Sequence, residues 1–314
     1  MKTLIITLTL AAAFSSPAAS QINFDTGSGM NLPGLISARS GGVPAPTAPA
    51  AVRSGAIPPC EPFSVERTMQ QVPVYDQMLT AQDDSEVCYA VAAAHLFTHW
   101  NLTSGAGGEM VSPLMLDLFK KLREGPDGQG GGELTADVLS GMARTDACSL
   151  GVAAGSRRSL SVNEEIDMLL ANQGRTPDRS LSRKELFESL AAQRDLPRSS
   201  CRRVQVQPFT PRYMRTRSVE EANGKRHGVP ITQREFREFL SGNTARQPVA
   251  VKFNYGDIYG GVGGPHWALI VARQQRGGSC QYLIRNSMGG DQPLVWTDEA
   301  RLLSTVRSAA LLTQ

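Results

Sequence analysis

The chain has 314 residues, of which 41% are hydrophobic and 19% charged, and its formal net charge is +3. This composition supplies enough apolar side chains for a sizeable core and excludes a disordered or collagen-like chain. The nearly balanced charge and the lack of zinc-finger, helix-turn-helix or RNA-recognition signatures argue against a nucleic-acid-binding protein.

The N-terminus has the layout of a secretory signal peptide. Lys2 is followed by an apolar run over residues 4–14 and then by small residues up to Ser20. The run is about half as long as a bilayer span requires, so no transmembrane span is predicted. Residues 1–20 are expected to be removed, which makes the mature protein secreted or periplasmic. The alternative for this segment is a buried N-terminal helix or strand.

Residues 21–59 are rich in Pro, Gly and Ala and have no periodic apolar face. Such a composition predicts a disordered leader, with the folded domain over residues 60–314. The domain contains five cysteines, an odd number in a compartment that favours disulfides. Two bridges and one remaining thiol are expected, and the count alone does not decide which cysteine is left. The five are Cys60, Cys88, Cys148, Cys201 and Cys280.

Apolar patterns and turn residues predict helices in the first part of the domain and strands in the last third. This order indicates an α+β fold whose helical and β-rich halves are segregated. The predicted strands cover 72–75, 248–253, 267–272 and 281–285. The predicted helices cover 88–100, 112–122, about 133–143, 162–173 and 182–193.

A basic, partly helical insertion is predicted at about 150–228. Between Arg175 and Arg226 the sequence has thirteen Lys or Arg and six Asp or Glu. A solvated surface segment is the first interpretation, and weak contact with an anionic surface such as a bacterial envelope is the second.

Cys88 stands at the head of an apolar helix. The positive end of a helix dipole favours the nucleophilic thiolate form of a cysteine. Of the four histidines, His95 and His99 lie on the same helix, too far along it to reach back to Cys88. They could bind a metal as an i, i+4 pair, although the stronger zinc pattern needs a glutamate between them and a third ligand. His227 falls in the basic insertion.

His266 follows a glycine-rich loop and begins an apolar strand. Asn286 comes 20 residues later, after a turn and a second strand. A hairpin of that length returns the asparagine beside the histidine, where its carbonyl can orient the imidazole ring. Together with Cys88 these residues make a nucleophile, a base and an orienting group.

These motifs resemble the papain family of cysteine peptidases. Residues 82–90 resemble its nucleophile motif, with Gln82 six residues before Cys88 and an aromatic residue after it. Residues 266–271 resemble the family's histidine strand, and Asn286-Ser287-Met288-Gly289 resembles its Asn-Ser-Trp-Gly. Ser112 and Gly130-Gly131-Gly132 resemble two further landmarks, all in family order.

The resemblance implies a two-lobe fold, with Cys88 on a helical N-terminal lobe and His266 on an antiparallel, β-rich C-terminal lobe. A polypeptide substrate would bind in the cleft between them. Cys88 would attack the peptide carbonyl, His266 would act as base and acid, and Asn286 would orient His266. Gln82 would donate to the oxyanion, with Gln77 as a rival that also follows an extended segment.

The sequence also departs from the family pattern. Ser85-Glu86-Val87 stands where the family has Cys-Gly-Ser, and nearby carboxylates would disfavour a thiolate. Met288 replaces the tryptophan that shields the His–Asn pair, and 178 residues separate Cys88 from His266. The leader lacks the helical pattern of the usual inhibitory propeptide, so any latency would work differently.

With Cys88 as the nucleophile, the other four cysteines suit two bridges. Cys148–Cys201 with Cys60–Cys280 is plausible, although three pairings are open. The leading hypothesis is an exported, divergent papain-like endopeptidase of bacterial type that needs no cofactor or metal. The alternatives are a non-catalytic papain-fold protein that binds peptides or an envelope, and a Cys-dependent amidase or transamidase.

Overall fold

The structure is a computed structural model that describes residues 56–80, 85–124, 132–149, 151–156, 158–193, 201–220, 224–261, 263–288 and 294–314. The predicted signal peptide and most of the predicted leader lie outside these residues. So do Gln82, Gly130, Gly131 and Gly289 of the family-like motifs.

The helices of the described residues are α1 (Glu66–Met69), α2 (Cys88–Thr103), α3 (Pro113–Glu124), α4 (Ala136–Gly141), α5 (Val162–Asn172), α6 (Arg183–Ala191), α7 (Gln233–Ser241), α8 (Tyr255–Tyr259) and α9 (Glu299–Thr305), and a π-helical turn at Met142–Asp146 continues α4. The strands are β1 (Phe63–Ser64), β2 (Val74–Asp76), β3 (Cys148–Ser149), β4 (Ser159–Ser161), β5 (Arg202–Arg203), β6 (Thr210–Arg215), β7 (Arg217–Glu220), β8 (Arg226–Val229), β9 (Val249–Asn254), β10 (Pro265–Arg276), β11 (Ser279–Arg285), β12 (Leu294–Asp298) and β13 (Ser308–Thr313).

One antiparallel sheet dominates the C-terminal half. Its strand order is β12-β11-β10-β9-β13-β6, and β1 pairs with part of β10. The predicted helices and strands are present, with α4 beginning three residues late and β10 extending past its predicted end. The α+β class predicted from the sequence is confirmed.

The sheet buries both faces, because successive side chains of a strand point to opposite sides. Ala250 and Leu269, which are paired across β9 and β10, contribute to the core shared with the helical half. Their neighbours Val251 and Ala268 contribute to a second core, which includes residues of α7 and α9. The sheet therefore lies between the helical half and a smaller helical layer.

Helix α2 is the centre of the helical half. Its residues from Tyr89 to Asn101 are all buried, which agrees with an apolar sequence that shows no amphipathic pattern. The helix packs against α3 on one side and β10 on the other. Helix α2 therefore lies between α3 and the sheet.

The first part of the segment predicted as a basic insertion, with α5 and α6, is built into the helical half, and its later part contributes β6 to the large sheet. Leu169 of α5 and Leu186 of α6 are buried in the main core. Both helices begin with a capping box, in which a serine and a glutamate satisfy each other's backbone N–H groups. Arg183, Arg202 and Arg217 form ion pairs with carboxylates, so part of the basic charge is paired within the fold. Contact with an anionic surface stays a prediction.

Two disulfides join distant parts of the chain. Cys60 is bonded to Cys280 and Cys148 to Cys201, with Cα–Cα distances of 5.7 and 5.8 Å. This is the pairing judged plausible from the sequence, and Cys88 belongs to neither bridge. Among the described residues, no helix combines the length and the apolar character needed to cross a membrane.

Candidate active site

Cys88 is the first residue of α2, and its side chain is half-buried. The preceding residue, Val87, makes no side-chain cap, and the first turn contains no acidic residue. Glu86 adopts a left-handed backbone conformation, with φ of 58°, at the turn that leads into the helix. The backbone N–H groups and the dipole at this helix end favour an anion such as a thiolate.

A β-hairpin brings His266 and Asn286 together. His266 is the second residue of β10, and Asn286 follows the last residue of β11. The two glycines of the connecting turn, Gly277 and Gly278, have φ values of 57° and 81°, which suit a tight hairpin turn. The histidine and the asparagine are 4% and 1% exposed, and His266 Nε2 lies 2.8 Å from Asn286 Oδ1.

The hydrogen bonds of Asn286 define the tautomer of His266. Oδ1 of Asn286 also accepts the backbone N–H of Ser287 at 2.7 Å, so this atom is the amide oxygen. Nε2 of His266 must therefore donate to it. In the neutral ring the proton on Nε2 leaves Nδ1 with its lone pair, as a general base requires.

Aromatic rings enclose the imidazole of His266. The rings of Tyr255 and Phe253 pack edge-to-face on it, with centroid distances of 5.4 and 6.1 Å. Burial lowers the pKa of His266 to about 4, and the hydrogen bond that the ring donates to Asn286 works in the opposite direction. The ring alone is therefore neutral near pH 7. An imidazolium here needs a neighbouring anion.

Gly132 links the chain next to Cys88 with the chain next to His266. Trp267, the residue after His266, donates its indole N–H to the carbonyl of Gly132 at 2.6 Å. Gly132 has a φ of 47°, and a Cβ there would lie 3.1 Å from the ring of Tyr89, the residue after Cys88. Gly132 therefore lies beside both segments.

Gln77 makes a second link, on the side of Asn286. Its backbone N–H donates to the carbonyl of Ser287 at 3.1 Å, and the Ser287 hydroxyl donates to its side-chain Oε1 at 2.6 Å. The Gln77 carbonyl accepts the hydroxyl of Ser85, three residues before Cys88, at 2.7 Å. Gln77 is fully buried between the two segments.

The predicted site residues thus have different outcomes. His266 and Asn286 are in direct contact. Gly132 and Gln77 connect the chain on both sides of Cys88 with the segments that carry His266 and Asn286. Gln82 lies outside the described residues. Ser112 is buried before α3, where its hydroxyl accepts the N–H of Met115.

The other histidines have separate surroundings. His99 lies between the hydroxyl of Thr68 and the side-chain oxygen of Gln247, at 2.8 and 2.7 Å. His95 is buried, and burial holds its pKa well below the usual value. His227 is exposed on β8. Within the described ranges, no cluster of three or more His, Cys, Asp or Glu is arranged to hold a metal ion.

Sequence reasoning missed the bridge between Gln77 and Ser287 and the aromatic rings around His266. The signal for the first was available, since Asp76-Gln77 follows an extended segment. The ring contacts depend on strand register, because Phe253 pairs directly with His266 across β9 and β10. Register is not readable from two strands that are buried on both faces.

No model of a known protein family matches the chain, and no curated protein matches it either. Similar solved structures include the ragweed pollen allergen Amb a 11 cysteine protease in its proform, with 12% identity, a TM-score of 0.45 and coverage of 84% of this chain and 67% of that one. A structure from work on the mite allergens Blo t 1 and Der p 1 has 13% identity, a TM-score of 0.45 and coverage of 86% and 75%. The digestive procathepsin L2 proteinase from Tenebrio molitor larval midgut has 15% identity, a TM-score of 0.42 and coverage of 82% and 69%.

These similar structures are papain-like cysteine proteases, the family that the motifs around Cys88, His266 and Asn286 resemble.

Proposed function

We propose that the chain is an exported, papain-like endopeptidase that hydrolyses peptide bonds through Cys88, His266 and Asn286. The observation that supports this most is the His266–Asn286 pair. The hydrogen bonds of this pair favour the ring tautomer in which Nδ1 is free to act as a base. The segments that carry the two residues are linked to the chain on both sides of Cys88. A buried imidazole oriented in this way is typical of a nucleophile–base–orienter set.

In the proposed reaction, Nδ1 of His266 takes the proton of the Cys88 thiol. The thiolate attacks the peptide carbonyl carbon, and the carbonyl oxygen becomes an oxyanion. The imidazolium then protonates the leaving amine as the C–N bond breaks, which leaves a thioester on Cys88. Water, deprotonated by His266, attacks the thioester and releases the carboxylic acid and the thiol.

Burial of His266 matters for both proton transfers. Because its pKa is lowered to about 4, the imidazolium is favourable only while the thiolate is beside it. Attack on the carbonyl removes that negative charge from sulfur. The imidazolium then gives up its proton readily, at the step where the leaving amine needs it.

Two glutamines compete for the oxyanion site, alongside the backbone N–H of Cys88. Gln82 has the family spacing, six residues before Cys88. Gln77 has contacts that suit the role. The Ser287 hydroxyl donates to its Oε1 and orients the side-chain amide, and its backbone carbonyl accepts a hydrogen bond from the Ser85 hydroxyl. We propose Gln77 as the stronger candidate on these contacts and keep Gln82 as the alternative.

Export is part of the proposal. Two disulfides are typical of proteins that fold in an oxidising compartment. N-terminal sequencing of the protein recovered from the culture medium or periplasm is expected to begin at Gln21. A chain that still begins at Met1 in the cytoplasm would contradict export.

The activity test is hydrolysis of a fluorescently labelled, unfolded protein such as casein. The wild-type protein is expected to cleave it under mild reduction, and Cys88→Ala is expected to have no activity with an unchanged circular dichroism spectrum and melting temperature. Full activity in Cys88→Ala would overturn the mechanism. A folded wild-type protein whose Cys88 is reactive but which cleaves no polypeptide would instead favour an amidase or transamidase.

A further inference from the structure

A groove of about 1000 Å³ lies on the helical half, apart from the candidate active site. One wall is α4 with its π-helical turn, and the other is the extended segment 203–209 that leads into β6. None of the described residues that line it belongs to the Cys88, His266 and Asn286 set. We call it the 203–209 groove.

The two walls meet at both ends and separate between them. At one end the N–H of Val204 donates to the carbonyl of Ala147, just after the π-helical turn, at 3.0 Å. At the other end α4 contacts β6. The helix and the extended segment therefore run antiparallel, with an open slot between their middle parts.

Between Gln205 and Gln207 the extended wall is hydrogen-bonded only on the side that faces α2. Asn101 of α2 donates its side-chain N–H to the carbonyl of Gln205 at 3.1 Å and accepts the N–H of Gln207 at 3.0 Å. In an extended chain the next residue directs its backbone groups to the opposite side. That residue is Val206, and among the described residues neither its N–H nor its carbonyl has a hydrogen-bond partner. Such an unpaired edge is a template for an added strand.

One end of the groove is positively charged. Arg144 and Arg203 are both exposed there, and the guanidinium of Arg203 donates to the carbonyl of Arg144. In the described part of the chain, neither arginine is paired with a carboxylate. The neighbouring Arg202 differs, because it forms an ion pair with Glu109. Asp137 lines the groove about two helical turns from Arg144.

We propose that the 203–209 groove binds an extended polypeptide segment that carries an Asp or Glu side chain. The segment adds to Val206 as a short strand, and its carboxylate lies between Arg144 and Arg203. The extended wall is about 20 Å long, enough for about six residues of bound peptide. A small anion would use the two arginines alone, whereas the unpaired backbone of Val206 and the apolar side chain of Phe209 suit a peptide.

The test measures binding without catalysis, in the full-length Cys88→Ala variant. The probe is a fluorescein-labelled six-residue peptide that alternates Thr and Glu, compared with its Thr-Lys counterpart by fluorescence anisotropy. We expect the acidic peptide to bind and the basic one not to. Because no thiol is needed, a negative result here leaves the proposed peptidase activity untouched, and loss of hydrolysis leaves this proposal untouched.

Two comparisons separate the groove from general attraction to a basic protein. Arg144→Gln and Arg203→Gln should each raise the dissociation constant of the acidic peptide by about tenfold. The matched control Arg202→Gln removes the same charge one residue away and should leave binding unchanged. N-methylation of alternate peptide residues removes backbone donors without altering the protein, and should also weaken binding.

Three results would overturn the proposal. The first is no binding of the acidic peptide at millimolar concentration. The second is an equal loss of affinity for the acidic peptide in Arg202→Gln and Arg203→Gln, which would indicate nonspecific charge attraction. The third is undiminished binding of both alternately N-methylated peptides, since an added strand cannot form without backbone hydrogen bonds.

Discussion

Oδ1 of Asn286 accepts two hydrogen bonds, one from His266 Nε2 at 2.8 Å and one from the backbone of Ser287 at 2.7 Å. The second bond fixes which amide atom faces the imidazole, and the first fixes the ring tautomer. The base character of Nδ1 in the proposed mechanism thus depends on the short segment that follows β11.

Asn286→Ala tests this dependence. Loss of the acceptor should lower kcat/KM by about tenfold or more while leaving measurable activity, because the ring can then adopt other tautomers and orientations. The pKa of His266 should fall further, since the Asn286 hydrogen bond raises it. A pH–rate profile measures both effects, and a melting curve checks that the variant is folded. Wild-type kinetics in a folded variant would contradict the orienting role.

Gln77→Ala and Gln82→Ala distinguish the two oxyanion candidates. Removal of a true oxyanion donor should reduce kcat and kcat/KM equally, by about a hundredfold, because the interaction forms only in the transition state. We expect that loss for Gln77 and a change of a few-fold at most for Gln82. Steady-state kinetics on one peptide substrate would decide.

Ser287→Ala is the control for this pair. It removes the hydroxyl that orients the Gln77 amide but keeps the amide itself. Ser287→Ala is therefore expected to lower kcat and kcat/KM by less than Gln77→Ala does. A hundredfold loss in Gln82→Ala with near-normal Gln77→Ala would reverse the assignment.

Glu86 has a φ of 58° in the turn before α2. A residue with a Cβ in this conformation costs about 1 kcal/mol relative to glycine. Glu86→Gly is therefore expected to raise the free energy of unfolding, and denaturant titration would measure the change. Glu188→Gly, at an exposed position inside α6, is the matched control and should destabilise by a similar amount. Destabilisation by both substitutions would contradict the account of this turn.

Glu165 predicts a pH dependence of stability. Its carboxylate is buried, accepts the Tyr75 hydroxyl at 2.8 Å and the Leu114 N–H at 3.0 Å, and has a pKa raised to about 7 by burial. The folded state holds this proton more tightly than the unfolded state does. The contribution to stability is complete below the ordinary pKa of the group and is lost as the pH rises through about 7.

Glu165→Gln mimics the protonated form at every pH. Relative to wild type, the variant should gain about 3 kcal/mol in free energy of unfolding between pH 4.5 and pH 8. Buried histidines such as His266 change stability with pH in the opposite direction, and taking the difference between two proteins removes their contribution. Parallel pH curves for the two proteins would contradict the assignment.

Local sequence signals were sufficient for much of the fold. The all-round apolar run after Cys88 predicts a buried helix, and α2 is one. The proline at the start of α3 and the serines before α5 and α6 define where those helices begin. The spacing of His266 and Asn286 predicts a hairpin, and the two residues are in contact. These features depend on neighbours in the chain.

Features that depend on distant partners were not predictable. Strand β13 is a short apolar run that could have been helix or strand, and its place between β9 and β6 is set by long-range pairing. The insertion was expected on the surface because of its arginines. Its helices are amphipathic. The leucines are buried in the core, and charged residues such as Arg183, which is paired with Asp167, lie on the outer face. Gln77 gained its role from Ser287, 210 residues away.

The most direct test of the central claim is covalent labelling of the reduced, folded protein with an epoxide-type inhibitor of papain-like peptidases, followed by peptide mass spectrometry. The proposed mechanism predicts one adduct, on Cys88, that forms much more slowly or not at all in His266→Ala. No adduct on folded wild-type protein, or equally fast labelling in His266→Ala, would contradict activation of Cys88 by His266.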